Sequence, residues 1–242
     1  MSTTSSPEDV CSNGRTETEE YREVARSKLL PKGYSGYMHL ASLFAIATPI
    51  CATCLYTLEP MTWFDLASIP TLLVILNIYE YVFHRFPSHR LLLSHLSAFR
   101  LFFKSHTGLH HKFFTFSSMQ PNNGHLDSFF ILFPVKVYVL GLASLSALLL
   151  GAGSFLLPWN TAVLCTGLSS AYLVFYELVH CYSHRSLPTP VLAVLQYVPW
   201  FNFFRRHHQL HHHPRVMNTS NYNLTFPFSD WLAGTLVTRL PD

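Results

Sequence analysis

Long apolar stretches alternate with polar, histidine-rich segments along this 242-residue chain. Four such stretches run from about Leu40 to Leu58, about Phe64 to Phe83, about Val137 to Leu157 and about Thr161 to Val179. Each approaches the roughly 20 residues that a helix needs to cross a bilayer. Pro49, Pro70, Gly141, Gly151 and Gly153 lie inside them and are tolerated in membrane helices, where neighbouring groups satisfy the freed backbone. Buried helices of a soluble all-α protein are the alternative, and four of them in a chain of this length argue against it. The pattern predicts an all-α integral membrane protein, with four transmembrane helices in two hairpins and a helical cytosolic cap carrying the histidines. Residues 1–33 predict a flexible cytosolic tail leading into a short polar helix, and 34–242 one membrane-embedded domain. No apolar stretch begins before about His39, so no secretory signal is expected.

Composition narrows the class. Hydrophobic residues make up 49% and charged residues 12%, about half the usual charged share. Disorder, a coiled coil and a collagen-like array are excluded. Five cysteines are too sparse for a disulfide-stapled domain. The net charge of +3 (16 − 13) gives no argument for nucleic acid. Lys and Arg are shared evenly among residues 1–33, 84–127 and 180–242, whereas the short loops at about 59–63 and 158–160 carry none. By the positive-inside rule, those three segments, and so both termini, are expected on the cytosolic side. The sequons at Asn218 and Asn223 then face the cytosol and are expected unmodified. Cys51 and Cys54 form a CxxC inside the first span and are read as packing residues, since a zinc role needs a polar setting and usually a second pair.

Fifteen histidines are nearly as many as all Lys and Arg together, and metal is the commonest reason for such an excess. They cluster as His84 and His89; His106, His110 and His111; His180 and His184; and His207, His208, His211, His212 and His213. Residues three or four apart share a helix face. His106/His110, His180/His184 and His208/His211/His212 are therefore each expected to aim imidazoles in one direction. Pro87 is expected to end or bend the helix so that His84 and His89 converge. His95, His125 and His39 stand apart, with His125 the best ligand candidate of the three. About ten imidazoles exceed the roughly four that one zinc takes and suit two ions; imidazole accepts zinc, copper, iron or nickel. Glu80 precedes His84 by four residues and Glu177 precedes His180 by three. Acids near a membrane core are costly and usually functional, and metal-bound histidine normally donates its other N–H to an acceptor. Both acids are expected to orient the neighbouring ligands. Phe102, Phe103, Phe113, Phe114, Phe116, Phe129, Phe130 and Phe133 are read either as the lining of an apolar substrate slot or as an interfacial belt.

The segments EYVFHRFPSH (80–89), HTGLHHKFF (106–114), YELVHCYSH (176–184) and RRHHQLHHHP (205–214) followed by NYNLTFPFSDWLAGT (221–235) resemble, in that order, the histidine boxes of the integral-membrane fatty acid hydroxylase/sterol desaturase superfamily. The resemblance covers roughly residues 65–237. One departure is the second box, HxxxHH here and usually HxxHH in the family. The resemblance implies a di-metal centre, two iron ions in the active enzyme and zinc possible in a purified form, held by His84, His89, His106, His110, His111, His180, His184, His208, His211 and His212. His207 and His213 flank the last box as possible ligands. It also implies O2 as co-substrate, attack on an unactivated C–H bond of a lipid from the membrane, electrons from cytochrome b5 and its NADH-dependent reductase, and the endoplasmic reticulum. The 33-residue tail is too short for a fused haem domain, and no GxGxxG is present to bind NAD(P)H, so a separate donor is expected. Hydroxylation is the preferred activity and desaturation through the same site the alternative. A zinc membrane hydrolase would leave most histidines unexplained, and a bis-histidine haem carrier needs facing histidines inside the spans.

Overall fold

The computed structural model describes residues 16–91 and 95–240. Among these the protein is all-helical, with an isolated β-bridge between Thr115 and Ser118 and no strand. The chain opens with α1 (Glu17–Leu29), whose start is set by a reciprocal capping box between Thr16 and Glu19. Acidic residues fill its first turn and Arg26 and Lys28 its last, as the helix dipole favours. Next come α2 (Gly36–Thr57) and α3 (Trp63–Phe83), the latter started by a second capping box, Thr62 with Asp65. A π-helical turn, His84–Ser88, continues α3 past its last α-helical residue.

The second histidine cluster lies on α4 (Ser97–Ser105), a π-helical turn (His106–His110) and α5 (His111–Phe113). A 3-10 turn (Gly124–Phe130) leads to α6 (Val135–Ser146), which runs on as a π-helical segment to Ala152. The chain then forms α7 (Trp159–Ser183), α8 (Thr189–Leu195), α9 (Pro199–His211) and α10 (Phe228–Leu232).

Among the described residues, three helices are long and apolar enough to cross a membrane: α2, α3 with its π turn, and α7. A fourth span is present if Gly124–Phe130 and Val135–Gly151, bent by 50° at their junction, are counted as one. The count is thus three or four, where the hydropathy pattern predicts four. Pro134, at the N-cap of α6, cannot donate a helical hydrogen bond and sets the bend.

The central element is α7. More than half of its apolar window is buried, against under a fifth in α2 and α3. Gly167 of α7 meets Cys54 of α2 so closely that a Cβ would lie 3.1 Å from the Cys54 side chain. Cys51 Sγ faces the Gly167 carbonyl at 3.4 Å. At one end of the bundle Asn160 bonds Glu59 through both its carbonyl and its amide, and Asp65 accepts the Thr161 hydroxyl at 2.7 Å. That end carries exposed Tyr56, Trp63, Phe64 and Phe155. The histidines gather at the other, where Tyr197, Trp200 and Trp231 are exposed. Aromatic residues at both ends are what two bilayer interfaces favour.

The polar helix expected after the tail is present, but it is not free. Arg22 is 1% exposed and lies over Phe113 and Phe114. Residues 16–30 therefore belong with the body of the protein rather than with a loose tail. Residues 1–15 of that tail lie outside the described residues.

Candidate metal centre

The two π-helical turns explain how distant spacings converge. A π turn bonds i to i+5 and inserts one extra residue into the helical register. His84 thereby faces His89, and His106 faces His111, with Nε2–Nε2 separations of 3.1 Å in each pair. The HxxxHH spacing of the second cluster is accommodated by the second turn. The expectation that His106 and His110 aim together is corrected for the same reason. They stack at 5.1 Å between ring centroids but belong to different groups.

Nine imidazoles form two groups, each with its ligand nitrogens within 4.8 Å of one another: His84, His89, His106, His111 and His211; and His110, His184, His208 and His212. His180 adjoins the second group, its Nε2 3.4 Å from that of His110. The expected shared direction of His208, His211 and His212 is also corrected. His208 and His212 lie about 40° apart around α9, whereas adjacent residues lie about 100° apart. His211 therefore turns to the five-histidine group. His110 and His111 split the same way, so each of these His-His pairs gives one ring to each group. The two groups are neighbours: the His111 and His212 ring centroids are 4.2 Å apart.

Ring orientation is set by backbone carbonyls. Nδ1 of His110 donates to Phe130 O at 2.8 Å, that of His184 to Met119 O at 2.9 Å and that of His212 to Phe114 O at 2.5 Å. In the other group His211 Nδ1 donates to Ser220 O at 2.9 Å, and His84 Nδ1 to Tyr222 O. Nδ1 of His89 lies 3.4 Å from Asn218 Oδ1. A carbonyl only accepts, so these Nδ1 atoms carry the proton and Nε2 keeps a lone pair.

His110 and His212 consequently present two lone pairs 3.2 Å apart. Such a pair repels unless a cation lies between. Nitrogens bound tetrahedrally to one ion at about 2.0–2.1 Å sit about 3.3 Å apart, so the residues fit a metal. Burial disfavours the imidazolium alternative. It pushes His110 down to about 4 and His89 down to about 2. The same burial, reinforced by neighbouring imidazoles, holds His106, His111, His208, His211 and His212 well below the usual histidine range. Nδ1 of His111, His180 and His208 is buried without a protein acceptor, so their orientation is left to packing.

The carboxylates do not touch the rings. Glu80 accepts from the amides of Leu224 and Thr225 and from the hydroxyls of Thr225 and Tyr172. It reaches His84 only through the loop that carries Tyr222. Glu177 accepts from Phe133 N at 3.0 Å, and its other oxygen is unpartnered. The expectation that each acid orients the histidine one turn away is corrected on this geometry: Tyr222 O already takes the Nδ1 proton of His84, and no hydrogen bond joins Glu177 to His180, Glu177 Oε2 and His180 Nδ1 both being without a partner.

The remaining candidates lie apart. His207 Nε2 faces Asp230 at 3.5 Å, His213 packs on Phe116, and His125 Nδ1 accepts from Gly36 N. A cavity of about 300 Å³ opens beside both groups, lined by His84, His106, His110 and His180 together with Leu109, Ile131, Leu132, Val137 and Tyr176. Phe102, Phe129, Phe130 and Phe133 line it, as the slot reading expects, and Phe83 joins them. Phe113 and Phe114 instead lie in the hydrophobic core. His39, given no role from the sequence, also borders the cavity, bonded to Tyr34 OH at 2.8 Å and Phe133 O at 3.0 Å. Its one signal is its place at the start of the first apolar stretch.

No family model, curated protein or solved structure matches this chain. Among the described residues, fold and site together define an all-helical protein with three or four membrane-length helices and largely buried histidine clusters able to hold metal.

Proposed function

We propose that this chain is a membrane-bound, O2-dependent hydroxylase of a lipid C–H bond, of the fatty acid hydroxylase/sterol desaturase type, with two iron ions. One observation carries the reading: two adjacent, largely buried histidine groups border one apolar cavity at the end of membrane-length helices. Four spans in two hairpins, both termini in the cytosol and residence in the endoplasmic reticulum complete the proposal. The reaction balances as RH + O2 + two electrons + two protons giving ROH + H2O. The electrons are assigned to cytochrome b5 and its NADH-dependent reductase.

When bound, a pair of iron ions supplies the reductive activation of O2 that an unactivated C–H bond demands. The chain's own residues do the rest. Nδ1–H groups locked on carbonyls keep five Nε2 lone pairs aimed inward without reorganisation. Leu109, Ile131, Leu132 and Val137 hold an alkyl segment and exclude water from the histidine face of the cavity. The cavity is at the small end for ligand sites, so it takes part of a chain while the rest stays in the bilayer.

The test is untargeted lipid mass spectrometry of cells expressing the chain under isotopically labelled O2, with His211→Ala as the blank. A lipid heavier by one labelled oxygen, absent from the blank, is expected. The same product from His211→Ala would overturn the site. A product lighter by two hydrogens would move the chemistry to desaturation.

A further inference from the structure

Three of the four rings in the smaller group take their orientation from one stretch of backbone. Phe114 O, Met119 O and Phe130 O receive Nδ1 of His212, His184 and His110. The larger group orients on a different stretch, through Asn218, Ser220 and Tyr222. Residues 114–130 are pinned near both ends by α1. Arg22 Nε donates to Phe113 O at 2.6 Å and its Nη2 to Ser118 O at 2.5 Å. The two carbonyls it grips are each next in sequence to a carbonyl that holds a histidine. Arg26 forms a two-point pair with Asp127 at 2.7 and 2.9 Å, three residues before Phe130. Asp127 in turn accepts from the amides of Asn122 and Asn123 at 3.1 Å.

We infer that Arg22 of α1 clamps the backbone carbonyls that set the four-histidine group and is a positioning residue for that group rather than for the larger one. The inference rests on the metal reading of the site and not on the oxidation chemistry. A planar guanidinium suits the task because it bonds two carbonyls in fixed directions while stacking on rings. Arg22 is 1% exposed, and a buried charge with both donor directions used is costly to replace. Loss of the clamp leaves the carbonyls of Phe114 and Met119 free to turn from the rings. Outer partners of metal ligands are worth about tenfold to a hundredfold in metal affinity.

The experiment is a cobalt(II) titration of the metal-free full-length chain in detergent, read by the visible d–d bands of histidine-bound cobalt. Two backgrounds separate the groups: His211→Ala cripples the larger and His184→Ala the smaller. In the His211→Ala background, Arg22→Met is expected to weaken the remaining cobalt site at least about tenfold. Arg22→Lys, which keeps the charge but offers one donor nitrogen in place of two, is expected to recover part of that loss. In the His184→Ala background, Arg22→Met is expected to change affinity by less than about twofold, which also shows the variant to be folded. Should Arg22→Met not fold, Arg26→Gln carries the same comparison from the other end. Equal weakening of both sites, or of neither, would overturn the inference while leaving the metal reading intact. A wild-type chain that binds no cobalt would overturn the metal reading and the clamp with it.

Discussion

Glu80 lies on a membrane-length helix and is nearly fully buried, and its side chain bonds α7 and the loop at Leu224 and Thr225. One oxygen takes the amides of Leu224 and Thr225; the other takes the hydroxyls of Thr225 and Tyr172, both at 2.6 Å. Two substitutions separate its charge from its bonds. In Glu80→Gln the amide oxygen still serves the two backbone N–H groups. Its NH2 faces hydroxyls that can rotate to accept, so only charge assistance is lost, about 1–2 kcal/mol. In Glu80→Leu the two hydroxyls can bond each other, being 2.8 Å apart. The two amides are stranded, at about 1–3 kcal/mol each. Leucine is thus expected to cost about 2–6 kcal/mol. At roughly 2–4 °C per kcal/mol for a chain of this size, that is a drop in apparent Tm of at least about 4 °C. Thermal unfolding in detergent is the assay, with cobalt binding as a second readout, because the same loop carries Tyr222 O to His84. Glutamine as damaging as leucine, or leucine as stable as wild type, would refute the reasoning.

Further outcomes are expected. His110→Ala removes a ligand from the smaller group only, so metal analysis should show the loss of one ion while the other stays. Val137→Trp places a large ring in the cavity and, on the proposed hydroxylation, should lower kcat/KM by about tenfold or more with metal content unchanged. Stability of the metal-free protein should fall as pH drops from 6.5 through about 4, the span between the ordinary histidine value and that of buried His110. In that window the unfolded chain binds more protons, so stability rises with pH; a flat pH profile in denaturant titrations would contradict it.

The membrane-length stretches and the grouping of histidines were legible because both rest on local patterns. Apolar runs have a length, and imidazoles three to five residues apart meet on a turn. The faces were legible only under the assumption of ordinary α-helix, so the π turns at His84–Ser88 and His106–His110 redirected His106 from His110 to His111. What holds the rings could not be read from side chains, because it is mostly main-chain carbonyl. Glu80 looked like a neighbour of His84, yet its loop partners lie 144 and 145 residues away. Arg22 sat in a polar, charge-balanced segment that gave no sign of burial. The third stretch, Val137 to Leu157, reads as one span, whereas its helix turns π-helical after Ser146 and joins Gly124–Phe130 at a bend that Pro134 marks.

The proposal of a di-iron centre requires that the two histidine groups each hold an ion in a shell rich in imidazole nitrogen. Iron content of the purified chain, with X-ray absorption at the iron edge, tests it most directly. Two irons per chain in a nitrogen-dominated shell, falling to one in His110→Ala, are expected. A single ion per wild-type chain, or a haem or sulfur environment, would contradict it.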